Sequence, residues 1–442
     1  GATVIADNIV DEANLKVSNS ATNGYVLTAQ SGNTGGLTWA VDAGGATSLD
    51  GLSDVKYGGS DFANSLIIGH TTTGTISSAE YNTAIGHQSL DAITTGDSNS
   101  ALGSSALGAN TTGTNNVAVG RNALILSTTG SGNTALGKDS LANNSTASNN
   151  TAVGLNALGG NTTGTGNVAV GFQALDANTT GGQNVSIGQN ALGANTTAAE
   201  NTALGFQSLD ANTTGASNTA VGAYSLDANT TGAYNTAVGR GALGASTTAS
   251  YNVAVGRNAL SGTTTGVENV GVGDSALGNN STGAFNVAVG QQALQYNTTA
   301  ANNTAVGLKA LWKNTTGDNN VALGYLSLAT NTTGYRNVGV GQDSLNKNTT
   351  GVQNTAIGDR ASEANTTGSD NVAIGNLALT ANTTASDNTG IGNRALSANT
   401  TGAGNCAMGN DAMYINTTGA DNVAIGNNAL YANTTGAENT AV

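Results

Sequence analysis

The chain has 442 residues, 64 of them glycine and none proline, with only 9% charged and a formal net charge of −14. That balance argues against a nucleic-acid partner, because no basic cluster is present to release counterions from phosphate. One cysteine, Cys406, rules out an intrachain disulfide or a multi-cysteine metal site, and no apolar run reaches the roughly 18 residues of a membrane-spanning helix, so no membrane insertion is expected.

In chain order, residues 1–63 lie outside any periodic pattern and are expected to form a small β-rich adaptor. From Asn82 to Asn439 an asparagine opens a new block every 17 residues without insertion or deletion, giving twenty-one complete blocks; a longer block opens at Asn64. The consensus is N-[TV]-A-[VIL]-G-x-x-[AS]-L-x-x-N-T-T-[GA]-x-x. Larger apolar residues at positions four and nine are five apart, which does not fit a helical face, while glycine and β-branched residues are dense. Short alternating stretches bounded by Gly and Asn-Thr corners predict strands. One block therefore corresponds to one coil of a parallel β-solenoid, and the fold class is all-β, with residues 64–442 as the repeat shaft. At about 4.8 Å per coil the shaft is roughly 100 Å long. The chain begins without Met and stops in mid-block, so the whole protein is expected to be longer.

Positions two and four share one face of the first strand, and position three points the other way. Position three holds only Ala, Gly (Gly271, Gly339, Gly390) and Ser186, although a solvent-facing column should drift toward long polar residues. The expectation is that neighbouring chains pack against this small column, most simply in a homotrimer. The competing reading is a single-chain solenoid whose small column meets its own interior. Position five is Gly throughout, which predicts positive φ or close backbone approach. Position nine is Leu except at Ser362 and Met413, and the corner Asn of position twelve is replaced only at Ile93, Ser127, Ser246 and Thr263. Cys406, at position two, is expected to act as a small buried hydrophobe.

The "NVAIG" of Asn371–Gly375 and Asn422–Gly426, with Ala and Leu three and four residues beyond the Gly, resembles the head repeats of trimeric autotransporter adhesins. It is equally similar to repeat regions of bacteriophage tail fibres. The adhesin resemblance implies a trimer of left-handed parallel β-rolls. The blocks here are longer than the usual head repeat by the "NTTG" corner, and no heptad stalk or anchor is present. The stretches "NGYVLTAQSGNTGGLTWAV" and "LDGLSDVKY" look more like amino-terminal portions of phage fibre proteins. The resemblance therefore implies a virion appendage or extracellular rod that attaches to a host cell surface. The alternative is a purely structural spacer whose receptor-binding tip lies beyond residue 442.

No catalytic constellation, cofactor motif or metal-ligand spacing is found, and the reading is of a non-enzyme. His70 and His87 share position six in the first two coils and read as exposed polar residues. The N-T-T and N-S-T triplets match the glycosylation acceptor, but seventeen copies locked to one corner are explained by the corner itself. Variation concentrates at positions six, seven, ten, eleven, sixteen and seventeen, which must face water. Exposed aromatics there can stack on sugar rings of a host surface glycan or envelope component. Tyr296, Trp312, Lys313, Tyr325, Tyr335 and Arg336, in successive coils, and Tyr414 with Tyr431, at position ten of adjacent coils, are the candidate receptor contacts.

Overall fold

A computed structural model describes residues 25–29, 37–41, 55–57, 65–68 and 78–442. Among them every regular element is a strand, and the shaft is a parallel β-solenoid of about 22 coils. The adaptor expected over 1–63 lies largely outside the described residues. Within it, β1 (Tyr25–Ala29) pairs antiparallel with β2 (Leu37–Val41), and β3 (Val55–Tyr57) pairs antiparallel with β4 (Leu66–Ile68), the first rung of the shaft.

From β4 onward each coil contributes one short strand, three residues long until the last, that pairs in parallel with those of neighbouring coils; it occupies positions two to four, and the pairing of Leu66 with Thr83 puts Ser65, not Asn64, at position one of the first rung, where it accepts from Asn82 N. The register is one coil per rung: Ala220 lies opposite Ala237, and Val221 opposite Val238. Three residues are too few to hold a strand alone. Backbone bonds between coils continue around the corners, as in Ser105 N to His87 O (2.8 Å), Leu107 N to Ala123 O (3.0 Å) and Asn115 N to Asp97 O (3.0 Å). Nearly every coil position is thus tied to its neighbour, which explains why proline is absent.

The glycine at position five meets both conditions expected of it. Gly86 has φ of 136°, and a Cβ there would stand 2.6 Å from the carbonyl oxygen of Gly103. Positions seven, nine and seventeen are also left-handed, as at Asn190, Leu192 and Glu200, with φ between 52° and 61°. A left-handed leucine costs roughly 1–2 kcal/mol. It is retained because this conformation drives Leu192 and its counterparts into the interior, where they are fully buried.

The interior corrects the expected orientation of the strand. Position three points into the chain's own coil: Ala152, Ala203, Ala220 and Ala237 are fully buried with one chain present, while positions two and four face outward. The reason is the thinness of the coil. A Cβ placed on Gly271 would lie 3.1 Å from Cγ of Leu260 and 3.2 Å from the carbonyl oxygen of Ala276, so little beyond a methyl fits between this strand and the leucine column. Ser186 is accommodated by donating its hydroxyl to Ala191 O at 2.6 Å. The small column is interior packing, so it carries no argument for a neighbouring chain. Cys406 is corrected likewise: it stands half-buried on the outward face as a free thiol.

Two asparagine columns complete the interior. At position one, Asn116 accepts at its Oδ1 from both the backbone N (2.9 Å) and Nδ2 (3.2 Å) of Asn133, whose Nδ2 also donates to Ala147 O across its own coil (2.9 Å). At position twelve, Asn178 donates to Asn161 Oδ1 and to Gly181 O, both at 2.9 Å. Buried amides are tolerable only when paired, and stacking identical coils supplies the pairing wherever one asparagine follows another in the column.

Candidate functional site

The outer surface is set by the same alternation. Thr at position thirteen turns its hydroxyl to the next coil, as Thr162 Oγ1 does to Thr179 O (2.9 Å), and Thr at position fourteen points to solvent. Most asparagines of the N-T-T triplets are buried, and Asn178, for one, has both amide hydrogens engaged, which leaves them little access for a glycan in the folded rod. Among the described residues no three His, Cys, Asp or Glu side chains are grouped to hold a metal ion, and no helix is long and apolar enough to cross a membrane. His87 is exposed; His70 lies outside the described residues.

The candidate receptor residues fall into three places. Tyr296 and Trp312, from adjacent coils, meet edge to face with ring centroids 5.6 Å apart. The Trp312 indole donates to Gln295 Oε1 at 2.8 Å, which fixes the ring. Lys313 Nζ lies 5.3 Å from the Trp312 ring centre, and Lys309, which the sequence reading passed over, lies at 4.6 Å. Lys309 is three residues before Trp312, at position seven, and the left-handed turn between them brings the two side chains to one corner. The result is a tryptophan flanked by two ammonium groups on a rod of net negative charge, a local inversion of sign.

Tyr414 and Tyr431 stack with centroids 5.4 Å apart and planes inclined by 20°. The guanidinium of Arg394 lies 4.9 Å from the Tyr414 ring centre and pairs with Asp411 at 2.7 Å. Asn410 donates to the same carboxylate at 2.9 Å. Arg394 and Asp411 were not among the sequence candidates, although their common position seven in adjacent coils was the signal available.

Tyr325, Tyr335 and Arg336 do not join either cluster. Tyr325 stands at position six, while Tyr335 and Arg336 stand at positions sixteen and seventeen, the Arg336 guanidinium lying 5.8 Å from the Tyr335 ring centre. Two aromatic pairs were missed. Tyr234 and Tyr251, both exposed at position seventeen, stack at 5.1 Å with planes 7° apart, and Phe206 meets Tyr224 edge to face at 5.3 Å, with Arg240 over the Tyr224 ring at 5.9 Å. Aromatics 17 residues apart must stack in this fold, and that spacing would have found the Tyr234 pair.

Comparison with protein-family models, with curated proteins and with solved structures finds no match to this chain.

Proposed function

We propose that this chain is the shaft of an extracellular attachment fibre, carried on a virion or on a similar appendage, in which three copies form a rod that binds a host-surface glycan. The reading rests on the resemblance of the repeat to fibre and adhesin repeats, on the stiffness of a continuous coil-to-coil bonded rod, and above all on the Tyr296–Trp312–Lys309–Lys313 cluster. A half-buried indole beside the exposed Tyr296 ring, with two flanking ammonium groups, suits an acidic saccharide: the aromatic edge packs on sugar C–H groups while the ammonium groups meet carboxylate or sulfate. Several copies in one rod would add avidity to a weak single contact.

Binding of the isolated rod to an array of acidic and neutral glycans tests this. Retention of acidic glycans that is lost on Trp312→Ala and weakened by added salt supports the reading. No retention of any glycan by folded rod removes the adhesin function and leaves the structural spacer.

A further inference from the structure

Positions seven, ten and eleven share one face of the coil: the hollow bordered by Asp139, Asn143, Gly159 and Asp176 is lined by these columns alone, as is the one bordered by Gln88, Asp91 and Leu126. Charge divides this face along its length. Over residues 82–285 it carries the carboxylates Asp91, Asp139, Asp176, Asp210 and Asp227, and no cation. From residue 286 onward it carries Lys309, Lys313, Lys347, Arg360 and Arg394, which leaves only Arg336 among that region's basic residues elsewhere. Lys347 and Arg360 are exposed, with no carboxylate at ion-pairing distance among the described residues. Aromatic pairs close the cationic stretch at both ends, Tyr296 with Trp312 at one and Tyr414 with Tyr431 at the other. The coils of Trp312 and Tyr414 are six rungs apart, about 29 Å.

The Tyr414 end has a chemistry that the Trp312 end lacks. Asp411 is buried and accepts from Arg394 and Asn410 at its Oδ2, while its Oδ1 has no partner. Nε of Arg394, in the same ion pair, is also buried and also without a partner. An alcohol hydroxyl satisfies one unused donor and one unused acceptor together, because it accepts and donates at once; an ionised carboxylate only accepts. The Arg394 side chain, 42% exposed, can shift to admit it.

We propose that this face, from Tyr296 to Tyr431, is a track for one linear, sparsely anionic saccharide chain lying along the rod. The chain is held by the Trp312 cluster at one end, crosses Lys347 and Arg360, and meets Arg394, Asp411 and the tyrosine pair through its hydroxyls and ring faces at the other. The proposal rests on the glycan reading above and extends it from one acidic sugar group to a polymer. Spacing selects the ligand. The cation-bearing coils are on average about 8 Å apart, against about 3.4 Å between phosphates along a nucleic-acid strand. Asp343 and Glu363 stand on the same face between the cations, and they repel a chain of dense negative charge more than a sparse one.

Calorimetric titration of the full chain with size-fractionated hyaluronan, which has a carboxylate on every second ring, and polygalacturonate, which has one on every ring, tests it. Chains long enough to reach from Trp312 to Tyr414 are expected to bind at least about tenfold tighter than shorter ones, because the second contact becomes intramolecular. Tyr414→Ala/Tyr431→Ala should remove that gain and leave short-chain binding unchanged, whereas Trp312→Ala removes short-chain binding as well. Glu363→Gln should tighten long chains alone; an equal effect on short chains counts against the track. Should the tyrosine changes unfold the last coils, Lys347→Gln/Arg360→Gln, at exposed and unpaired positions, is expected to remove most of the same gain. Short-chain binding with no gain in length overturns the proposal and leaves the glycan reading standing. So does a gain that survives both double variants, which would mean one polymer bridging several rods. Oligothymidylate that competes as well as either saccharide overturns it in favour of a single-stranded nucleic acid. Failure of both polymers to bind at any length also overturns it, and the glycan array then decides the simpler reading separately.

Discussion

Asn229 donates its amide to Asn212 Oδ1 at 2.8 Å, but its own Oδ1 is buried without a partner because the next coil offers Ser246, whose hydroxyl is also unbonded. One coil further, Thr263 repeats the defect with a buried Oγ1 that finds no partner. The position-twelve spine is thus interrupted at two successive rungs. An unpaired buried polar group costs about 1–3 kcal/mol. Ser246→Asn is expected to raise stability by about 1 kcal/mol, since the new amide reaches Asn229. Ser246→Asn/Thr263→Asn should raise it by more than the sum of the single changes, because each new amide supplies the other's partner. Thermal unfolding of the three variants checks this; additive or destabilising effects would show that the spine tolerates gaps.

Ala220 gives a test of which strand face is interior. Its Cβ lies within a fully buried column, with the leucine column across the coil. Ala220→Leu is expected to cost 3 kcal/mol or more, toward the upper end of overpacking, because the rungs on both sides hold the backbone in place. Ala223→Leu, on the outer surface, should be nearly neutral. Limited proteolysis that finds new cleavage near coil 218–234 only in the first variant agrees with this geometry.

Ser362 interrupts the leucine column between Leu345 and Leu379, and it is buried with φ of 50°, the same left-handed conformation the neighbouring leucines adopt. Ser362→Leu therefore asks nothing new of the backbone. Filling the position should stabilise the rod by about 1–3 kcal/mol. A rise in the denaturation midpoint measures it, and a fall would mean that the coil has closed around the serine.

Asp210 and Asp227 occupy position ten of adjacent coils, and Asp176 the same position two coils earlier. Burial pushes all three carboxyls above the ordinary carboxylate value, and the negative charge of Asp210 pushes Asp176 and Asp227 further. A raised folded value means that the folded rod holds protons more tightly than the unfolded chain. This contribution is fully present below the ordinary value and is lost as pH rises through the raised one. Asp210→Asn should thus stabilise the rod at neutral pH and flatten the acid side of its stability profile. Melting temperatures from pH 3 to 7 test the sign, and a variant less stable than wild type at pH 7 contradicts it.

Much of this architecture is legible in the letters alone. The invariant 17-residue spacing fixes one coil per block, because any drift would break the backbone and amide ladders at once. Gly86 and its counterparts had to be glycine for conformation and for space, and the six variable columns had to face water. What the letters left open was the sense of the three-residue strand. Alternation assigns positions two and four to one side and three to the other, but it is symmetric, and nothing local says which side is in. The cross-section decides: left-handed turns at positions seven and nine fold the Leu260 column back until only a methyl fits opposite it, so alanine goes inside and valine outside. The same turns place Lys309 beside Trp312 and Arg394 beside Tyr414, contacts within and between coils that depend on how the chain bends rather than on how far apart its residues are.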